Sequence, residues 1–209
     1  MRKQWIVIAL ALILYTPLFI FKKAGAFDFW NWMALVVCII LTVITLLNPQ
    51  WPRTCITNCR KRFWQMTGMG IVSALVLYLI FFVGNWLSRL IFPFAANNIH
   101  HVYALKSNVS VLRVSLLIGF LIGPAEELIW RAYVQETLSR GTSEIKAVLI
   151  ATGFYTAIHL GSGNVMLILA AMVCGLFWGG LYMRFRSVWL NVISHTVWDL
   201  AVFIFFPFH

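Results

Sequence analysis

"GPAEELIWR", residues 123–131, sets Glu126 and Glu127 side by side, with Arg131 four residues on, inside an otherwise apolar run. The whole chain has only six acidic residues in 209, so two adjacent ones need a reason. In a soluble helix they would be ordinary surface charges. In a membrane they are expensive and must turn inward toward partners. Composition decides between these readings. Hydrophobic residues make up 62% of the chain and charged ones 11%, with a mean hydropathy of +0.88, which leaves too little polar surface for a soluble domain of this size.

Outward from this stretch, apolar runs recur at Trp5–Phe21, Phe29–Leu47, Met66–Val83, Val111–Ile122, Ala147–Ile158, Val165–Met183 and Val188–Phe206. Several approach the roughly 20 residues that cross a bilayer as a helix. Backbone polar groups in lipid must be satisfied within the segment, which selects helices. The runs do not alternate, which excludes a β-barrel. The expected fold is all-α: a polytopic helical membrane protein of about seven spans with a polar cavity inside the bundle, residues 1–209 forming one integral membrane domain.

The net charge of +10 does not signal nucleic acid, because the basic residues lie in short loops. With the N-terminus inside, Arg2, Lys3, Arg53, Arg60, Lys61, Arg62, Arg140, Lys146, Arg184 and Arg186 fall on the inner side. Lys22, Lys23, Arg89, Lys106 and Arg113 fall on the outer side. That bias predicts a cytoplasmic N-terminus. The first run, with Ala24-Gly25-Ala26 beyond it, resembles a signal peptide, but Lys22 and Lys23 between the two suit a retained helix end. Residues 48–65 are read as a basic loop. In the polar stretch 84–110, Trp86, Leu87, Leu90, Ile91 and Phe94 suggest a partly interfacial helix. Cys38 and Cys174 lie in apolar runs as packing residues. Cys55 and Cys59 have no further Cys or His near them in sequence to complete a zinc set.

Asp28, Glu136 and Glu144 fall at or near helix ends and need no special account. Glu126, Glu127, Arg131, His159, His195 and Asp199 fall within spans. Glu127 and Arg131, Tyr155 and His159 in "YTAIH", and His195 and Asp199 in "HTVWD" are each spaced i,i+4, one turn apart on one helix face. Three polar stripes facing one another would make one cavity. Gly123-Pro124 is expected to break the helix and leave the glutamates in the first turn of a new segment, where the helix dipole favours carboxylates.

Two adjacent carboxylates in a low dielectric cannot both ionise cheaply, so one is expected to hold a proton it can take and return. Arg131 would keep Glu127 ionised, Asp199 would fix the tautomer of His195, and a histidine N–H would stabilise an oxyanion. Water between Glu126 and the histidines would then attack a peptide bond directly. One Glu and two His also match a catalytic zinc ligand set, although no HExxH motif is present. A serine mechanism is weaker, since Ser194 points to a different helix face from His195.

"EELIWR", "YTAIH" and "HTVWD", in this order on successive helices, resemble the EExxxR, FxxxH and HxxxN/D motifs of the CAAX protease and bacteriocin-processing (CPBP) family. The resemblance covers roughly residues 111–206, the expected catalytic core. It implies an intramembrane endopeptidase of glutamate rather than zinc type, with no cofactor, acting on a peptide or protein substrate that enters from the membrane. The family's roles then fall on Glu126 as the water-activating glutamate, Glu127 as its partner, Arg131 as the motif arginine, His159 and His195 as catalytic histidines, and Asp199 at the Asn/Asp position. Tyr155, where Phe is usual, and Trp130, before the arginine, are the expected substrate-contacting aromatics. Asp199 in place of Asn weakens the case for prenylated substrates specifically; a leader peptide or other membrane-anchored peptide fits as well. Two other classes remain: a non-catalytic membrane partner or bacteriocin-immunity protein of the same fold, and a proton-coupled transporter. The complete motif set speaks against the first, and the lack of an internal repeat against the second.

Overall fold

The computed structural model describes residues 3–60 and 62–208. Arg2 and Lys61, which entered the charge bias, lie outside the described residues. The protein is a helical bundle. Helix α1 (Lys3–Phe21) leads through a two-stranded antiparallel hairpin, β1 (Lys23–Ala24) and β2 (Phe27–Asp28), into α2 (Phe29–Leu47). There follow α3 (Trp51–Arg60), α4 (Phe63–Ile91) and α5 (Ala95–Tyr103). A long helix α6 (Val111–Ser139), then α7 (Glu144–Ile158), α8 (Val165–Phe185) and α9 (Val188–Phe205), complete the chain. Among the described residues six helices are long and apolar enough to cross a membrane, and α5 with α6, bent by 96°, makes a seventh candidate. This matches the about seven spans expected, and the protein is an integral multi-pass membrane protein.

Three local expectations are corrected. First, α6 does not break at Gly123-Pro124. Ile118, Gly123, Leu128 and Glu136 all keep right-handed helical backbone, and the helix instead widens into π turns at Ile118–Ile122 and Leu128–Gln135. In a regular α-turn the Pro124 ring would collide with the carbonyl four residues back. A wide turn moves that carbonyl aside and leaves the missing N–H without consequence. The two glutamates therefore sit in mid-helix, without a free helix N-terminus, and need side-chain partners.

Second, the basic loop at 48–65 contains a helix, α3. Pro52 occupies its first turn, where no intrahelical N–H bond is lost. Third, Trp86, Leu87, Leu90 and Ile91 belong to α4 and not to a separate interfacial helix. At 29 residues, α4 is about 44 Å long. It stops where Pro93 forces Phe92 into extended backbone (φ −117°, ψ 112°).

In lipid, apolar surface alone does not drive helices together; close packing and hydrogen bonds do. The side of α4 that bears Leu75, Leu79, Phe82 and Leu90 stays exposed, as a lipid-facing surface should. Its other side buries Met66, Gly70, Ser73, Ala74 and Leu77. Contact with α9 is closest at Gly70, where a Cβ would lie 2.8 Å from Ile193 Cβ and 2.9 Å from the Leu190 carbonyl oxygen. The main core joins Val7, Ala11 and Leu18 of α1 to Val37, Ile40 and Ile44 of α2 and to Ile118, Ile129 and Val134 of α6.

The three acidic residues assigned to helix ends act there. Asp28 caps α2 by accepting from the Asn31 N–H at 3.0 Å and pairs with Arg113 of α6. Glu136 and Glu144 share Arg186 at the other end of the bundle, the Glu136 pair at 2.9 Å.

Gly70→Val should force α4 and α9 apart and lower stability by about 1–3 kcal/mol, the range for overpacking a tight contact. Gly68→Ala faces open space and should leave the melting temperature in detergent unchanged. Equal melting temperatures for the two variants would contradict the close approach.

Candidate active site

Every residue of the polar set is buried. Glu127 is 0% exposed, and Asp199, the most open of the six, is 8% exposed. Neither water nor lipid reaches Glu127 to satisfy its carboxylate, so protein donors must. Oε1 accepts from Arg131 Nη1 at 2.9 Å and lies 2.8 Å from His195 Nδ1; Oε2 accepts from Asn191 Nδ2 at 3.1 Å. Arg131 is itself held between the rings of Tyr155 and Trp178, at 5.0 and 5.4 Å from their centroids. Its Nη2 donates to the carbonyls of Cys174 and Gly175 at 3.4 Å. The i,i+4 pair on α6 thus reaches α8 and α9.

His195 stacks on Trp178, with centroids 3.8 Å apart and planes 20° apart. Both of its ring nitrogens face carboxylates. Nδ1 faces Glu127, and Nε2 lies 3.3 Å from Asp199 Oδ2 and 3.9 Å from Glu126 Oε2. The contact with Glu127 had not been foreseen; only the one-turn partner Asp199 had. Glu126 points away from its neighbour. Its Oε2 accepts from the Tyr155 hydroxyl at 3.0 Å and its Oε1 from the Tyr15 hydroxyl at 3.4 Å. His159 stands just past the end of α7, where its Nδ1–H donates to the Tyr155 carbonyl at 2.7 Å. That bond leaves Nε2 with its lone pair free.

Glu126, Tyr155, His159, His195 and Asp199 line one cavity of about 440 Å³. Trp178 and Cys174 complete this polar end, and the remaining walls are largely apolar, among them Phe19, Phe29, Met33, Phe81 and Phe203. The cavity extends toward the end of α4 and toward α5, where Asn85 and Ser88 of the first and Tyr103 of the second contribute. Glu127 and Arg131 stand behind the wall. So does Trp130, which packs edge-on against Tyr155 at 5.6 Å. Ser194 is engaged elsewhere, accepting from Trp178 Nε1 at 3.1 Å.

Sequence reasoning missed three contributors. Asn191 lies one turn before His195, so "NVISHTVWD" carries a polar residue at every fourth position, and extending the stripe would have found it. Trp178 and Tyr15 lie in apolar runs that give no signal.

Among the described residues no group of three His, Cys, Asp or Glu side chains is arranged to hold a metal ion; the contact of His195 Nδ1 with Glu127 fixes the ring's orientation and leaves Nε2 turned to the cavity side. Cys55 and Cys59 lie one turn apart on α3, and burial pushes the Cys55 thiol up to about 12.

Glu126, His159 and His195 thus line one polar cavity within a polytopic helical membrane bundle. Residues 108–201 match the family model described as Type II CAAX prenyl endopeptidase Rce1-like. All three motifs lie inside that segment, and the match bears out the resemblance they carry. It supports a CAAX-type protease embedded in the membrane. No curated protein and no solved structure matches the chain.

Arg131→Ala should destabilise the bundle by about 3–5 kcal/mol, because it leaves a buried carboxylate without its ionic partner. Asn191→Ala removes one neutral donor and should destabilise by about 1–3 kcal/mol. Thermal unfolding in one detergent ranks the two; an Arg131→Ala variant as stable as the parent would show that Glu127 needs no counter-charge.

Proposed function

We propose that the protein is an intramembrane endopeptidase in which Glu126 activates the water that attacks the peptide bond. The observation that carries this reading is the shared cavity: a buried carboxylate, a histidine lone pair and a histidine donor all line one space. A water there can donate one hydrogen to Glu126 and the other to His159 Nε2, turning its oxygen toward a substrate carbonyl. As the C–O bond forms, Glu126 takes the proton. The oxyanion accepts from the cavity-side N–H of His195, which Asp199 and Glu127 keep aimed. Glu126 then returns its proton to the leaving amine as the C–N bond breaks, so atoms and charge balance without a covalent intermediate. Glu127, Asn191 and Arg131 orient His195 and do not react.

The apolar walls suit a substrate that is lipid-modified or part of a membrane segment. The basic residues of the loops favour a cytoplasmic N-terminus. In that orientation the end of the cavity at α5 faces the opposite compartment. This favours a leader or other membrane-anchored peptide over a cytosolic prenylated protein.

Glu126→Gln is isosteric but cannot take the proton. It should abolish cleavage of a peptide panel in detergent while leaving the melting temperature unchanged, and chelators should have little effect on the parent protein. Complete loss on chelation, restored by zinc, would overturn the glutamate mechanism. Asp199→Asn keeps an acceptor and should retain substantial activity, whereas Asp199→Ala should lose about 10–100-fold, the usual penalty for removing an orienting partner. If Asp199→Asn were as inactive as Glu126→Gln, Asp199 would itself be a reacting group.

A further inference from the structure

Glu126 is met by two phenols, one on each oxygen, and neither is a feature of the motifs. Tyr155 stands where the family pattern has Phe, which carries no hydroxyl. Tyr15 lies on α1, outside the segment 108–201 that matches the family model. Both are buried, Tyr15 completely. A phenol in an apolar bundle must find an acceptor, and each of these has found the same carboxylate.

The position of Tyr15 is not loose. Helix α1 presses against the short 3₁₀ turn Leu160–Ser162 that follows His159. The approach is so close that a Cβ on Gly161 would lie 2.8 Å from the Thr16 carbonyl oxygen. Phe19, one turn on from Tyr15, packs against the His159 ring with centroids 4.6 Å apart. The helix that carries Tyr15 is therefore seated against the same turn that places His159.

We propose that Tyr15 is a positioning residue for Glu126, forming with Tyr155 a two-phenol clamp that fixes how the carboxylate faces the cavity. This rests on the reading of Glu126 as the water-activating group. A carboxylate held on one oxygen can swing about its terminal bonds. Held on both, from α1 and from α7, it presents a single orientation to a water on the cavity side. The clamp also makes α1 a working part of the site, although the three motifs begin more than 100 residues later.

The test uses Tyr15→Phe, Tyr155→Phe, the double variant and Glu126→Gln, each purified whole in one detergent. Phenylalanine keeps both rings, so packing is retained. Each single variant should lower kcat roughly tenfold with KM little changed, in the range of lost orienting hydrogen bonds. The melting temperature should stay within a few degrees of the parent. The infrared band of the Glu126 carboxyl group, assigned by its disappearance in Glu126→Gln, should shift in both single variants and shift further in the double. This spectroscopic readout needs no substrate. An unshifted band in Tyr15→Phe overturns the clamp, as does a kcat equal to the parent's. A collapse in melting temperature with kcat preserved in the surviving fraction would also overturn it, because Tyr15 would then be a packing residue. Full activity in Glu126→Gln would instead overturn the proposed function, and the infrared result would still stand for or against the clamp.

Discussion

A carboxylate that neither water nor lipid can reach is the constraint around which the bundle is organised. Glu127 must be satisfied entirely by protein, and three donors from two helices do so: Arg131 on its own helix, and His195 and Asn191 on α9. Each donor is anchored in turn. Arg131 lies between aromatic rings and donates to two carbonyls of α8, His195 stacks on Trp178, and Asn191 also donates to the Trp178 carbonyl at 2.7 Å. Removing any strand of this net leaves a polar group unpaired where desolvation is most costly. The net fixes α6, α8 and α9 relative to one another, and so decides where His195 and Glu126 point. The same atoms that hold the helices together aim the groups facing the cavity.

The two adjacent glutamates divide their work because successive residues on a helix point in different directions. Glu127 turns into the net and is committed. Glu126 turns to the cavity and receives only phenols. The wide turns on either side of them allow a proline within one turn of the pair without a break. π turns recur at functional sites in helices, and here they flank the two residues whose side chains must diverge.

Much of this was legible in the sequence. The apolar runs gave the helical membrane class, and the i,i+4 spacings gave three polar stripes, of which those of α7 and α9 line the cavity; the α6 pair, Glu127 and Arg131, stands behind the wall, and Glu126 faces the cavity in its place. The break at Gly123-Pro124 was misread because proline usually ends a helix, and the alternative of a widened turn leaves no mark in the sequence. The contact from Glu127 to His195 was missed because spacing shows partners within a helix and not across helices. Asn191 could have been found as the next residue of the α9 stripe. Tyr15 could not, because a single tyrosine in an apolar helix has the same appearance whether it packs or donates.

Helix α4 carries a consequence of a different kind. It is about 44 Å long, while the hydrocarbon core of a typical bilayer is about 30 Å thick. The most apolar run of the helix, Met66–Val83, is about 27 Å long and fits that core, so the turns beyond it, which carry Asn85, Ser88 and Arg89, reach past the core unless the helix leans. Its second half supplies Ile80, Phe81, Gly84, Asn85 and Ser88 to the cavity wall, so its lean and the width of the cavity are one variable. A bilayer thick or thin enough to change the lean of α4 would therefore move this wall and reshape the chamber without any contact to the polar cluster.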